Sequence, residues 1–308
     1  MPQQLDIFAD SRDVVLRNDL AQALLDGDCD RAQAIADTLA AEFGSDPALA
    51  PGRELLAHLR WRQASAGAPR LDLDALQAAR EHLAGALATA ATAALGAGDA
   101  PRWLTAQWLG LAGQAAHVAW DPAQAEVHPA ALYLRAQAWQ AAAQAVARIT
   151  SWRRIPQPLL WMAQARWRGE GVDAGWPLLA EALWLAPARA AALLQALADR
   201  ELGRLIARFE ERFEERFEDP VDEAWAWFPA FALVDTPLLA GPLALAEPSA
   251  QHPPAQAFQT VQALLRLERQ GRHHDIVAHR ARLQSLSPPL FAAYMSTRCP
   301  RTHDRPKP

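Results

Sequence analysis

The sequence predicts an all-α protein, an α-solenoid of stacked antiparallel helical hairpins, and three observations carry that expectation. Segment after segment is dominated by Ala, Leu, Gln, Arg and Glu, which lose little conformational freedom in a helix. Apolar residues recur at helical spacing, while alternating Val/Ile/Thr stretches of strand type are missing. Gly and Pro clusters return at short intervals and divide the chain into helices of roughly 10 to 18 residues, the length of hairpin helices rather than of a long coiled coil.

In chain order, the first helix is expected to begin near Asp10 or Ser11, since either can accept hydrogen bonds from the first turn. The stretch "ALLDGDCDRAQAIADTLA" reads as a hairpin turning at Gly27, with small Ala32 at the helix contact. Breaks then fall at "FGSDPALAPG" (43–52), "SAGAPR" (65–70), "GAGDAP" (96–101), "WDPAQAEVHP" (120–129), "IPQP" (155–158), "GEGVDAG" (169–175), "EDPVD" (218–222) and "AEPSAQHPP" (246–254). The expected organisation is a flexible segment over residues 1–10, hairpins over 11–125, more regular repeats over 126–298 and a disordered tail over 299–308.

Composition excludes several classes. With 308 residues, 51% hydrophobic and 21% charged, the chain can bury a substantial core and is not a disordered polymer. A formal charge of -5 argues against wholesale nucleic-acid or membrane-surface binding, which needs a dominant basic face. Cys29 and Cys299, the two cysteines, are far apart, so neither a disulfide framework nor a cysteine metal cluster is indicated and a reducing compartment fits. The start "MPQQLDIFADSRD" lacks the basic and apolar regions of a secretory signal, and no apolar run approaches membrane-spanning length. A cytoplasmic protein is expected, and the abundance of Ala with Lys307 as the sole lysine suggests a GC-rich bacterial genome.

Several hairpins share a template. In "YLRAQAWQAAAQAVARITSWRRIP", Trp139 is followed three residues later by Ala142, and Pro156 closes the unit. In "LLWMAQARWRGEGVDAGWPLLAEALWLAP" a Gly-rich turn precedes a helix ending in Ala182, Leu183, Leu185 and Pro187. That ending resembles the tetratricopeptide repeat, in which a small residue sits where two helices touch and Pro stops the second. Trp139 and Val172 stand 33 residues apart, against a period of about 34 in that family. In "ERQGRHHDIVAHRARLQSLSP" the turn at Gly271 and Pro288 are 17 residues apart, and His273, 101 residues beyond Val172, takes the corresponding position. Two degenerate repeats are therefore expected between them. Arg208 and Arg280 depart from the family pattern, standing where it prefers apolar or small residues. The resemblance implies a solenoid with a concave binding face and no specific partner.

The triplicated "RFEERFEERFED" (208–219) is open to four readings: linker, coiled coil, nucleic-acid-facing helix or packed hairpin helix. Gly203 to Pro220 is again 17 residues, which places the stretch in the second helix of one of the missing repeats. Phe209, Phe213 and Phe217 at i, i+4, i+8 form one apolar stripe. The charge pairs are worth only a few tenths of a kcal/mol, so the Phe stripe decides for a packed helix.

Motifs for catalysis are missing: no phosphate-binding or dinucleotide loop, no nucleophile elbow and no H-E-x-x-H occurs. In "HHDIVAH", Asp275 and His279 share a helix face near His273 and His274, but further ligands are wanting and a metal site is not expected. The twelve Trp read as core residues. No cofactor and no enzymatic activity are expected.

Two features stand out. From Val127 to Gly169 there is no acidic residue, while Arg135, Arg148, Arg153, Arg154, Arg166 and Arg168 accompany Tyr133, Trp139, Trp152, Trp161 and Trp167. Arg135, Arg153, Arg154, Arg166, Arg168, Trp152 and Trp167 are the candidate partner-binding set, reading either as a groove for an acidic peptide or nucleic acid or as Arg stems covering Trp faces. The second is "QLDIF", which resembles the short peptide by which bacterial replication and repair proteins dock on the DNA sliding clamp. The resemblance implies contacts through Gln4, Leu5 and Phe8, and the alternative is that Leu5, Ile7 and Phe8 staple the first helix. The sequence thus points first to a non-enzymatic adaptor binding a partner protein, and second to a nucleic-acid-associated accessory factor recruited through the clamp or the Arg-rich middle.

Overall fold

A computed structural model describes residues 11–65, 70–213, 221–248 and 252–298, and every regular element among them is a helix or a 3-10 turn. The chain forms two compact units, divided in sequence between Ala142 and Ala143.

In the first unit, α1 (Arg12–Asp26) and α2 (Cys29–Glu42) form the hairpin read from sequence. Ser11 is the residue before α1. Gly27 ends α1 at φ 71°, left-handed backbone that costs a side-chain-bearing residue but not glycine, and Asp28 opens α2 by accepting the Arg31 N–H at 3.0 Å. Ala32 is buried at the helix contact, as expected. Then follow α3 (Leu49–Ala64), α4 (Leu73–Ala84) and α5 (Ala86–Gln114). At the break expected at "GAGDAP", Gly96 leaves helical geometry (φ 75°, ψ 169°), so that two helical stretches of α5 meet there at a kink. Two 3-10 turns lead to His128, whose Nδ1 accepts the Ala130 N–H at 3.2 Å and opens α6 (Pro129–Arg135). Residues 126–135 fall in this unit because α6 packs along α5. The core is a leucine stack, with Leu20, Leu24, Leu39, Leu55, Leu59, Leu76 and Leu83 essentially sealed from solvent, each contributing about 1.5–3 kcal/mol by burial.

Helix α7 (Trp139–Ala147) carries the division between the units. In the second unit, α8 (Pro156–Glu170) and α9 (Val172–Leu185) form a hairpin hinged on Gly171. Helices α10 (Pro187–Leu197), α11 (Arg200–Phe213), α12 (Val221–Ala224) and α13 (Phe228–Asp235) follow, and α14 (Pro253–Arg269), α15 (His273–Leu286) and α16 (Pro288–Arg298) close the unit. Trp139, Val172 and His273, placed in register from sequence, are the first residues of α7, α9 and α15.

Two expectations about the stretch between Val172 and His273 need correction. Gly203 is no turn: it lies inside α11, donating its N–H to Asp199 O at 2.8 Å. Asp199 starts the helix earlier, its Oδ1 accepting the N–H groups of Glu201 (2.9 Å) and Leu202 (2.8 Å). Nor does the second of the two degenerate repeats expected there take the form of an amphipathic helix pair among the described residues. The segment Phe228–Val234 is buried on all sides, which makes α13 a central core helix instead of one member of an amphipathic pair. Two 3-10 turns, Pro237–Ala240 and Pro242–Leu245, succeed it.

The start of the triplicated segment packs as expected. Phe209 on α11 is 1% exposed and sits 5.1, 5.2 and 5.5 Å, ring to ring, from Trp225, Phe228 and Phe231. The side chain of Phe213, and Phe217, lie outside the described residues. Arg208, at odds with the repeat pattern, is accommodated by a two-pronged pair with Asp235 at 2.9 and 2.7 Å. Arg280 finds Tyr294 beneath it at 5.6 Å and Glu268 at 4.0 Å. No single helix among the described residues is long and apolar enough to cross a membrane.

Candidate partner-binding surface

The Arg and Trp candidates each take part in their own local contacts. Arg135 belongs to the first unit; Arg153, Arg154, Arg166 and Arg168 belong to the second. At the end of α6, Arg135 lies 5.3 Å over the Trp108 ring and 3.9 Å from Glu126, an arginine covering an aromatic face. On α8, Arg166 pairs with Glu170 one turn on, and Arg168 donates to Ala196 O at 3.2 Å. Trp161 and Trp167 are each 6% exposed, so neither presents a free face for stacking a base. Arg154 is exposed and Trp152 half-buried. Three of the six arginines of the acid-free stretch meet carboxylates from outside it: Arg135 meets Glu126, Arg166 meets Glu170, and Arg153 meets acids further along the chain.

The strongest of those contacts is at Arg153. Its Nε and Nη2 donate to the two oxygens of Glu181 at 2.6 and 2.8 Å, and its Nη1 donates to Glu247 at 2.5 Å. The Glu247 N–H donates to Glu181 Oε1 at 2.9 Å, so the loop after the 3-10 turns is tied to α9. Glu181 is 7% exposed within the buried run Gly175–Leu183 of α9. Such a carboxylate must be paired to stay ionised. The hydrogen bond to Glu181 raises the Arg153 pKa above its ordinary value against the opposing effect of burial. Glu181 and Glu247 were not among the sequence candidates. One signal was available: a Glu inside the apolar run "WPLLAEALWLAP" has to find a cation.

A more open feature lies where α8, α9 and α11 meet the 3-10 turn Pro237–Ala240, a groove of about 510 Å3. Its floor is aromatic and aliphatic: Trp167 and Trp176, whose rings meet edge to face at 5.5 Å, with Leu202, Leu205 and Leu239. Val172, 40% exposed, stands at its edge. The rim carries Asp173, Asp199 and Glu201, all exposed, against one exposed cation, Arg204, since Arg208 is engaged by Asp235. An apolar floor within a charged rim is the anatomy of a protein-binding patch, and the excess of carboxylates gives it negative polarity. Of the sequence candidates only Trp167 contributes, by forming floor.

The HHDIVAH candidate resolves as helix-end chemistry. Asp275 pairs with Arg272 at 2.5 Å and His279 Nδ1 lies 3.0 Å from Asp275 O. No cluster of three or more possible metal ligands occurs among the described residues. Gln4, Leu5 and Phe8 of the clamp-like peptide lie outside the described residues. Comparison of the chain with models of known protein families, with curated proteins and with solved structures finds no match.

Proposed function

We propose that this protein is a non-enzymatic helical adaptor, a degenerate tetratricopeptide-like array that holds a partner protein through the groove beside α9 and α11. The observation that supports this reading is the combination of a Trp/Leu floor with a rim of Asp173, Asp199 and Glu201. That chemistry suits a partner segment bearing a large apolar side chain next to Lys or Arg. Apolar anchors supply most of the binding energy, and rim charges set association rate and polarity. The test is selection from a displayed peptide library, followed by titration of the selected peptides. Expected sequences combine Leu, Phe or Trp with a neighbouring basic residue, and both Val172→Arg and Asp173→Arg weaken their binding without lowering thermal stability. Selection of acidic peptides, or indifference to both substitutions, overturns it.

The second reading, a nucleic-acid-associated factor, rests on "QLDIF". Its test is titration of purified sliding clamp with a peptide of residues 1–12. Docking of this kind gives micromolar affinity, roughly -8 kcal/mol, abolished by Leu5→Ala with Phe8→Ala. A peptide that fails to bind at high micromolar concentration removes the clamp from consideration.

A further inference from the structure

The first unit contains a partly enclosed cavity of about 220 Å3 between α3, α4 and α5. That volume holds roughly seven groups the size of a water molecule. Its walls are mostly apolar: Leu71, Ala79, Leu83 and Leu111, with the Trp61 ring on one side. Polar groups converge at one end. Arg62 Nη1 donates to Gln107 Oε1 at 2.8 Å, and Gln107, 4% exposed, is held in turn by donating to Trp103 O at 3.2 Å. This fixes a half-buried guanidinium against the cavity with most of its five donors uncommitted to Gln107.

No carboxylate lines the cavity, and Arg62 is in no ion pair among the described residues. The neighbouring groups do not supply an anion either. His58 packs against Trp61 (5.6 Å), Trp103 (5.8 Å) and His82 (6.5 Å). Burial, with the nearby Arg62 charge and His82, pushes its pKa down to about 4, so it is neutral near pH 7. The Trp103 indole N–H, beside His58, is buried and has no acceptor among the described residues. The cavity is therefore cationic at one end, with the Ser65 hydroxyl and the Gln114 amide as further polar groups of its lining, and largely apolar elsewhere.

We infer that this cavity binds a small monocarboxylate with an apolar or aromatic body, its carboxylate paired with Arg62 and its body against Trp61, Leu83 and Leu111. A planar guanidinium matches a carboxylate two-pronged, and partial burial strengthens the pair by reducing competition from water. The site goes beyond the partner groove, which lies in the other unit, and neither depends on the other.

The experiment is isothermal titration of the full chain with benzoate, with benzamide as the neutral probe of the same shape and inorganic phosphate as the anion without an apolar body. Benzoate is expected to bind at millimolar strength or better, with benzamide and phosphate each at least about tenfold weaker. Arg62→Gln is expected to weaken benzoate by at least about tenfold. Ala79→Leu, which adds bulk to the α4 wall of the cavity, is expected to abolish binding in a chain that still melts cooperatively, and it serves as the deciding variant if Arg62→Gln does not fold. No heat from benzoate at about ten times the millimolar range expected of so small a ligand, equal binding of benzamide or phosphate, or undiminished binding by Ala79→Leu overturns the assignment.

Discussion

Gly175 on α9 lies so close to Trp167 on α8 that a Cβ built on it would sit 2.7 Å from Trp167 Cε3 and 3.0 Å from Trp167 Cα. The second distance matters more, because a side chain can swing aside and a helix backbone cannot without parting the hairpin. Gly175→Ala is therefore expected to destabilise by about 1–3 kcal/mol through overpacking, although alanine is the better helix former. Urea unfolding read by circular dichroism checks this, and a stabilised variant would show that the hairpin yields freely.

Phe209 makes the second prediction. Its ring is enclosed by Trp225, Phe228 and Phe231, so Phe209→Ala is expected to cost about 3–5 kcal/mol. Glu211, exposed two residues further along the same motif, should cost under about 0.5 kcal/mol when replaced by Ala. Equal, small losses for the two would place α11 in solvent.

At Arg153 the two acidic partners should behave unequally. Removing Arg153 leaves the 7%-exposed Glu181 charged and unpaired, whereas Glu247 retains 69% of its side-chain exposure. Arg153→Ala is expected to cost about 2–3 kcal/mol, less than a fully buried pair because Arg153 itself meets water, and Glu247→Ala under about 0.5 kcal/mol. Thermal melts of the two variants measure the difference. Charge reversal of Arg153 should not affect nucleic-acid binding beyond what this destabilisation explains.

Acid should weaken the fold through two histidines. Burial pushes His58 and His128 from the ordinary 6.5 to about 4. The folded chain thus binds fewer protons than the unfolded chain between these values, and stability rises with pH there. The contribution is complete above about pH 6.5 and is lost as pH falls through 4, on the order of 2–3 kcal/mol for each histidine. Denaturant midpoints measured from pH 7 to pH 4 should fall accordingly. His128→Asn, which keeps an acceptor for the Ala130 N–H, should flatten the slope.

The sequence alone determined the helical class, the turn at Gly27 and the burial of Phe209. All of these follow from interactions within a few residues: helix propensity, the left-handed glycine and the i, i+4 spacing of apolar side chains. Only the tertiary structure decided what became of the charged residues. Arg153 meets Glu247 across 94 residues of chain, and a sequence window from Val127 to Gly169 contains none of the carboxylates that Arg135, Arg153 and Arg166 meet outside it. Likewise α13 could be recognised as apolar yet not as the core helix that replaces an expected hairpin, since that depends on α11, α14 and α16 packing around it. The groove beside α9 and the cavity at Arg62 are built by residues from separate helices, and their chemistry comes from convergence in space, which no local spacing rule records.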